Sequence, residues 1–406
     1  MTYNFIIFLY VFAARLTALF NEKVSKMVKG QRDAFAVLKD KIDEDSKYLW
    51  FHAASLGEFE QGRPLIEAIR RNYPEYKILQ TFFSPSGYEV RKNYKGADVV
   101  CYLPFDTPRN VRRFIDAARP SMAFFIKYEF WKNYLDELSR RHIPTYSVCS
   151  VFRPNQIFFR WYGRSYKKVL HTFTHLFVQN EESVRLLGNE GVTNVSIVGD
   201  TRFDRVLAVS REAQELPLLD CFKDKTKTLV VGSSWKADED IFIPYFNAHP
   251  ELKLIIAPHV VDESRLNEIE ESLNCKTIRY TKATKENLKD AGCLLIDSYG
   301  LLSSVYRYGD VAYIGGGFGA GIHNTLEAAV YGIPVIFGPN NKKFVEAQNL
   351  LRCNGGFEIQ GKDDFMNLMN RLVTDEAFLA SAGKNAGRYV SANGGASDVI
   401  LKTVRL

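Results

Sequence analysis

Short apolar runs alternate with longer amphipathic stretches along most of this 406-residue chain. That alternation restricts the fold more than any other feature. Residues 48–53, 77–82, 99–103, 122–126, 145–148 and 176–178 have the length and composition of strands, while 60–72 and 107–118 have helical periodicity. Strand and helix in turn build βαβ units, whose strands lie parallel and are covered on both faces. The pattern stops at 210–227, a polar and charged stretch with Pro217, and resumes with strands at 228–231, 252–257, 293–296, 311–314 and 334–337. The chain reads as two α/β domains, 31–209 and 228–385, joined by a linker over 210–227. Residues 386–406 form a C-terminal segment that could pack back on the N-terminal domain. In such sheets ligands bind beyond the carboxyl ends of the strands, so those loops are where chemistry is sought.

The N-terminus departs from this pattern. Residues 3–20 are almost wholly apolar, with Arg15 the one charge, and Lys23, Lys26 and Lys29 follow. A secretory signal would place basic residues before the apolar run, and none stands there. Residues 1–30 are therefore expected to be an anchor helix with a basic flank, spanning the membrane or lying in its interface. The lysines that follow put the remaining domains on the cytoplasmic side. The formal charge of +6 is too small to indicate a nucleic-acid binder. The six cysteines include no CxxC pair, which excludes a zinc ribbon and suggests reduced thiols in the cytosol.

Five strand-end loops could carry chemistry. In His52-Ala53-Ala54-Ser55-Leu56-Gly57-Glu58 small residues let a ligand approach the backbone, and Glu58 stands near a helix start. Glu58 reads either as a general base or as a first-turn carboxylate serving the helix dipole, and position alone favours the second. In Lys127-Tyr128-Glu129-Phe130-Trp131 the carboxylate could meet a sugar, but a structural ion pair is the simpler reading. Residues 151–172 interleave Arg153, Arg160, Arg164, Lys167 and Lys168 with Phe152, Phe158, Phe159, Trp161, Tyr162 and Tyr166, and hold no acid. That composition suits RNA or an anionic lipid surface, the membrane being the better partner beside an N-terminal anchor, or else a solvated helix face. Gly232-Ser233-Ser234 could cradle phosphate. The loop from Gly315 to Ala329 has five glycines in its first seven residues, then Asn324 as a helix cap and Glu327 three residues on. Its nominal dinucleotide fingerprint lacks the acidic residue beyond the next strand, where Phe337-Gly338-Pro339 stand. A phosphate cradle at a helix start fits better. No His/Asp/Glu cluster has metal-ligand spacing, and no Walker or GxSxG motif occurs.

Together these loops resemble the 3-deoxy-D-manno-octulosonic acid (Kdo) transferases of lipid A biosynthesis. The blocks His52 to Glu58, Lys127 to Trp131, Val178-Gln179-Asn180-Glu181, Gly199 to Asp204, Asp297 to Leu302 and His323 to Ala329 occur in the family's order. The resemblance implies a GT-B fold of two Rossmann-like domains with a central cleft. It implies inverting, metal-independent transfer of Kdo from CMP-Kdo to a lipid A precursor at the inner membrane, with no cofactor. It makes Glu58 the general base, reversing the weighting by position. It places the acceptor on Ser55, Gly57, Glu129 and Arg153. CMP-Kdo falls on Gly232, Ser233, Pro258, His259, Gly300, Leu301, Leu302, Gly317, Asn324 and Glu327. Three departures stand out: Pro258-His259-Val260 replaces the family's frequent Pro-Arg-His, Leu301 takes the place of a usual Glu, and Ser233-Ser234-Trp235 replaces Ser-Thr-His. Competing readings are a nucleotide-sugar epimerase of the same architecture and a membrane-associated nucleotide binder without activity.

Overall fold

The computed structural model describes residues 2–163 and 166–406. The chain divides into two compact units, Met1–Arg205 with Gly395–Leu406, and Val206–Gly394. The first unit is built on β1 (Lys47–Ala53), β2 (Tyr76–Phe82), β3 (Val99–Tyr102), β4 (Pro120–Ile126), β5 (Thr145–Ser150), β6 (His175–Val178) and β7 (Val195–Ile197). The second is built on β8 (Thr228–Ser234), β9 (Lys253–Pro258), β10 (Thr277–Arg279), β11 (Cys293–Leu295), β12 (Val311–Ile314), β13 (Val335–Phe337) and β14 (Gly356–Glu358). Strand order is β3-β2-β1-β4-β5-β6-β7 in one sheet and β10-β11-β9-β8-β12-β13-β14 in the other. Every strand pair is parallel. These are two Rossmann-like α/β units with a GT-B-like arrangement of elements.

Three strands lay outside the sequence reading: β7, β10 and β14. Each is three residues long and sits at a sheet edge. An edge strand is covered less completely, so it need not be a continuous apolar run. In the first sheet Trp50 of β1 packs against Phe125 of β4, Phe114 and Tyr134, with ring centroids 4.9–5.6 Å away. Burying side chains of this size contributes about 1.5–3 kcal/mol each.

Residues 210–227 are not an open linker. They carry the helix Pro217–Lys223, whose Leu219 and Phe222 are fully buried, and Leu216 N–H donates to Tyr308 Oη at 2.7 Å. At the other end, the helix Ala396–Val404 places Ile400, Leu401 and Val404 in the core cluster that holds Leu49, Phe51, Leu65 and Ile69 of the first unit. Asp204 fixes its start by accepting Ser397 N–H at 2.7 Å.

The apolar N-terminus forms α1 (Thr2–Thr17), followed by α2 (Glu22–Lys41). With 16 residues α1 is about 24 Å long. No helix among the described residues is long and apolar enough to cross a membrane, so the spanning form of the anchor is not supported. One stripe of α1, Ile7, Val11 and Ala14, is buried with Met27 and Phe105. Its other face leaves Phe5, Ile6, Phe8, Leu9 and Phe12 exposed, Phe8 at 65%. Further helices of this unit are α3 (Leu56–Asn72), α4 (Pro85–Arg91) and α5 (Pro108–Ala118).

The segment 151–172 also divides. Phe152 and Phe158 are core residues packed on Phe130, whereas Trp161 is 89% exposed. Lys167 is tied to Glu190, so it is not a free surface cation, while Arg153, Arg160 and Lys168 are exposed. Arg164 lies outside the described residues. All six cysteines are free. Burial pushes the Cys101 and Cys149 thiols up to about 12, which makes them poor nucleophiles.

Candidate functional site

Strand order reverses between β1 and β4 in the first sheet and between β8 and β12 in the second. Such switch points leave a crevice beyond the carboxyl ends of the strands, and the small-residue loops found in the sequence stand there.

In the first unit β1 ends at Ala53, and extended Ser55 leads into α3. The Ser-x-x-Glu spacing looks like a capping box, but the Ser55 hydroxyl does not cap the helix backbone. It donates instead to the Glu58 carboxylate. That bond holds Glu58 at the first turn of α3, partly open to solvent, where the helix N-terminus favours negative charge. A Cβ on Gly57 would meet only Ser55 Oγ, at 3.9 Å, so packing inside the unit does not require this glycine.

Glu129 is engaged within its own unit. Its Oε2 accepts Trp131 Nε1–H at 2.7 Å and lies 3.1 Å from His52 Nε2. His52 is fully buried, and its Nδ1 lies 2.9 Å from Thr81 Oγ1, which accepts Trp50 Nε1–H at 2.8 Å. The Thr81 hydroxyl itself donates to the Phe51 carbonyl oxygen at 3.3 Å, so along this hydrogen-bonded chain both ring nitrogens of His52 and the Thr81 hydroxyl all have polar partners. The chain ties β1, β2 and the exit of β4 together beneath the Glu58 loop. Trp131 closes the Lys127 to Trp131 block, whereas nothing local in the sequence marks Thr81. Arg153 is exposed, and among the described residues no hydrogen bond ties it to Ser55, Glu58 or Glu129.

Two further sequence blocks meet behind α3. Asp200 Oδ2 accepts from Gln61 Nε2 at 2.9 Å, Gln179 Nε2 at 3.3 Å and Arg202 Nε at 3.0 Å. Blocks 178–181 and 199–204 thus brace the helix that carries Glu58.

In the second unit, Gly232 needs to be glycine because a Cβ would fall 1.8 Å from Tyr306 Oη and 3.0 Å from Leu302. This brings Gly232 and the Gly300-Leu301-Leu302 turn together. Gly300 has φ +90°, and Tyr299 Oη accepts Val261 N–H at 3.1 Å, tying that turn to the exit of β9. A Cβ on Gly315 would lie 2.2 Å from the Ser233 carbonyl oxygen, and one on Gly317 2.5 Å from Gly338 N. The glycine excess is thus explained in large part by packing, not by a ligand alone. Asp238 fixes the loop, since its carboxylate accepts from Gly316 N–H, Trp235 N–H and Tyr313 Oη, each at 2.9 Å.

Asn324 and Glu327 are paired, Nδ2 to Oε1 at 2.9 Å, and Asn324 Oδ1 accepts Leu326 N–H at 3.1 Å. The residue at the helix boundary is Thr325, not Asn324, and the helix Leu326–Ala329 is a single turn.

Pro258 closes β9, and His259 beyond it is exposed. The His259 ring stacks on Trp235 at 4.4 Å and on His323 at 4.6 Å. Burial, with His259 adding to it, holds His323 below the usual histidine range. Three planar rings therefore gather beyond β8, β9 and β12, a surface suited to a flat polar ligand. Trp235 and His323 were not among the expected contacts. Trp235 does directly follow the last residue of β8, as His259 follows β9.

The fold is a GT-B-like arrangement of two parallel-sheet α/β units. Residues 29–205 match the family described as 3-Deoxy-D-manno-octulosonic-acid transferase (kdotransferase). The 3-deoxy-D-manno-octulosonic acid transferase of Aquifex aeolicus is 26% identical over 344 residues, covering 83% of this chain and 89% of that protein. The Rickettsia felis enzyme of the same name is 25% identical, covering 96% and 89%. UDP-GlcNAc 2-epimerase from Neisseria meningitidis, solved bound to UDP-GlcNAc, shares the fold at TM-score 0.60 and 14% identity, over 88% of this chain and 99% of that one. The chain is thus similar to the Kdo transferases, over residues 29–205 by the family model and over most of its length to relatives at 25–26% identity.

Proposed function

We propose that this enzyme transfers Kdo from CMP-Kdo to a lipid A precursor, with inversion and without a metal or cofactor. The observation that carries this reading is the family match over residues 29–205, the segment that holds Ser55, Gly57, Glu58, Glu129 and Arg153. Glu58 takes the proton of the acceptor hydroxyl. The hydroxyl oxygen bonds to the anomeric carbon of Kdo as the bond from that carbon to the CMP phosphate oxygen breaks. The base and the leaving group stand on opposite faces of the sugar, so configuration inverts. The departing phosphate gains negative charge. In this reading it is met by backbone N–H groups of the loops at Gly232, Ser233, Gly317 and Asn324 and by His259, with Pro258, Gly300, Leu301, Leu302 and Glu327 shaping the CMP pocket. His259 then does the work that the resemblance assigns to an arginine. Arg153 and Glu129 belong to the acceptor side, Glu129 as a positioning residue.

The acceptor is a lipid, and α1 supplies the means to reach it. Its exposed apolar face, with Arg15 on the same helix, lies in the interface of the inner membrane on the cytoplasmic side. CMP release from CMP-Kdo tests the reaction. Release should depend on a lipid A precursor, and UDP-GlcNAc should be left unchanged. Epimerisation of UDP-GlcNAc without acceptor-dependent CMP release would favour the fold's other chemistry.

A further inference from the structure

A cavity of about 700 Å³ lies among α1, α2 and α5, apart from the loops described above. Arg15, Lys29, Arg32 and Arg113 line it, and no Asp or Glu does. Arg32 pairs with Asp33 outside the lining, and Arg113 stacks over Phe35 at 4.1 Å. Four cations around one hollow repel one another unless an anion sits among them. Gln31 also lines the cavity. It is 2% exposed, yet neither its Nε2 nor its Oε1 has a hydrogen-bond partner. An unpartnered buried amide is costly, and a donor left over inside a basic hollow matches an anionic oxygen. The cavity wall includes Arg15 and Ala18 at the end of α1, and their neighbours Leu16, Leu19 and Phe20 are exposed.

We infer that this cavity binds the phosphate group of an anionic membrane lipid, with Gln31 donating to a phosphate oxygen and the four cations neutralising it. The inference rests on the reading of α1 as an interfacial helix and adds a specific headgroup site to it. The chemistry recognised is a phosphate ester. The lipid source is preferred because Arg15 and Ala18 of the lining adjoin the exposed apolar residues Leu16, Leu19 and Phe20, which a soluble phosphate would not use.

The test uses the full chain and two sets of phosphatidylcholine vesicles matched in surface potential, one containing phosphatidic acid and the other oleic acid. Wild type should bind the phosphatidic acid vesicles more tightly. Gln31→Leu leaves the charge unchanged and removes the amide, so its melting temperature should equal or exceed that of wild type. It should lose about fivefold or more in affinity for the phosphatidic acid vesicles and bind oleic acid vesicles as before. Lys29→Gln should weaken binding to both, and more to phosphatidic acid. Equal binding of wild type to both vesicles, or unchanged selectivity in Gln31→Leu, would overturn the site while leaving the interfacial helix standing. Binding to neither vesicle would remove both. Inorganic phosphate that broadens its own ³¹P resonance with wild type but not with Gln31→Leu, and leaves vesicle binding intact, would assign the cavity to a soluble phosphate and overturn the lipid assignment.

Discussion

The Tyr3 hydroxyl donates a 2.6 Å hydrogen bond to Asp106 Oδ2, joining the first turn of α1 to the loop after β3. Asp106 also accepts the N–H groups of Asn133 and Tyr134 at 3.1 and 3.0 Å, and it is 2% exposed. One buried carboxylate therefore sets where the apolar helix docks. Tyr3→Phe should lower the free energy for local opening of α1 by about 1–3 kcal/mol. Amide exchange along α1, compared with exchange in β1, measures this. Unchanged protection of α1 would mean that Ile7, Val11 and Ala14 hold the helix alone.

The same carboxylate gives a pH dependence. Burial raises Asp106 from 3.8 to about 7, although the Tyr3 hydroxyl and the two backbone N–H groups oppose it. In the unfolded chain it ionises near its ordinary value of about 3.9. Between the two values the folded state keeps a proton that the unfolded state has released, so the Asp106 contribution to stability falls as pH rises from about 4 to about 7. Asp106→Asn does not titrate. Its melting temperature minus that of wild type should climb across this window and level off above it. A difference independent of pH would contradict the raised carboxyl.

Glu58 separates catalysis from helix stabilisation. As the general base, Glu58→Gln should lower kcat by about 10²- to 10⁴-fold while CMP binding, read by calorimetry, is retained. If the carboxylate serves only the dipole of α3, the same change costs about 0.3–1 kcal/mol of stability and spares activity. Ser55→Ala, which frees Glu58 from its hydroxyl partner, should fall between Glu58→Gln and wild type in kcat.

The glycine loop offers a paired test. Gly315→Ala drives a Cβ to 2.2 Å from the Ser233 carbonyl, and should cost about 1–3 kcal/mol or more and weaken CMP binding. Gly319→Ala meets nothing closer than 3.7 Å and should be near neutral. Similar melting temperatures for the two variants would mean that the loop is not packed as described.

The two-unit α/β architecture was legible in the sequence because central parallel strands such as residues 48–53 and 228–231 are buried on both faces and must be apolar. Edge strands β7, β10 and β14 lack that requirement and went unread. Glu58, Glu129 and the Gly315 loop were visible because they directly follow strands. Their partners were not: Thr81 reaches His52 across 29 residues, Gln61 reaches Asp200 across 139, and Asp238 holds Gly316 from 78 residues away. Pairs of that separation leave no local pattern. Composition alone makes the apolar N-terminus look like an anchor but does not report that Tyr3 and Ile7 face inward. Only the fold shows how one stripe of α1 is consumed by packing and the other remains.

The reaction product tests the Kdo transferase assignment most directly. Wild type in vesicles, given CMP-Kdo and a lipid A precursor, should yield acceptor heavier by one or more Kdo residues when analysed by mass spectrometry, and Glu58→Gln should yield almost none. Acceptor recovered at its starting mass with folded wild type, or equal product from the variant, would contradict it.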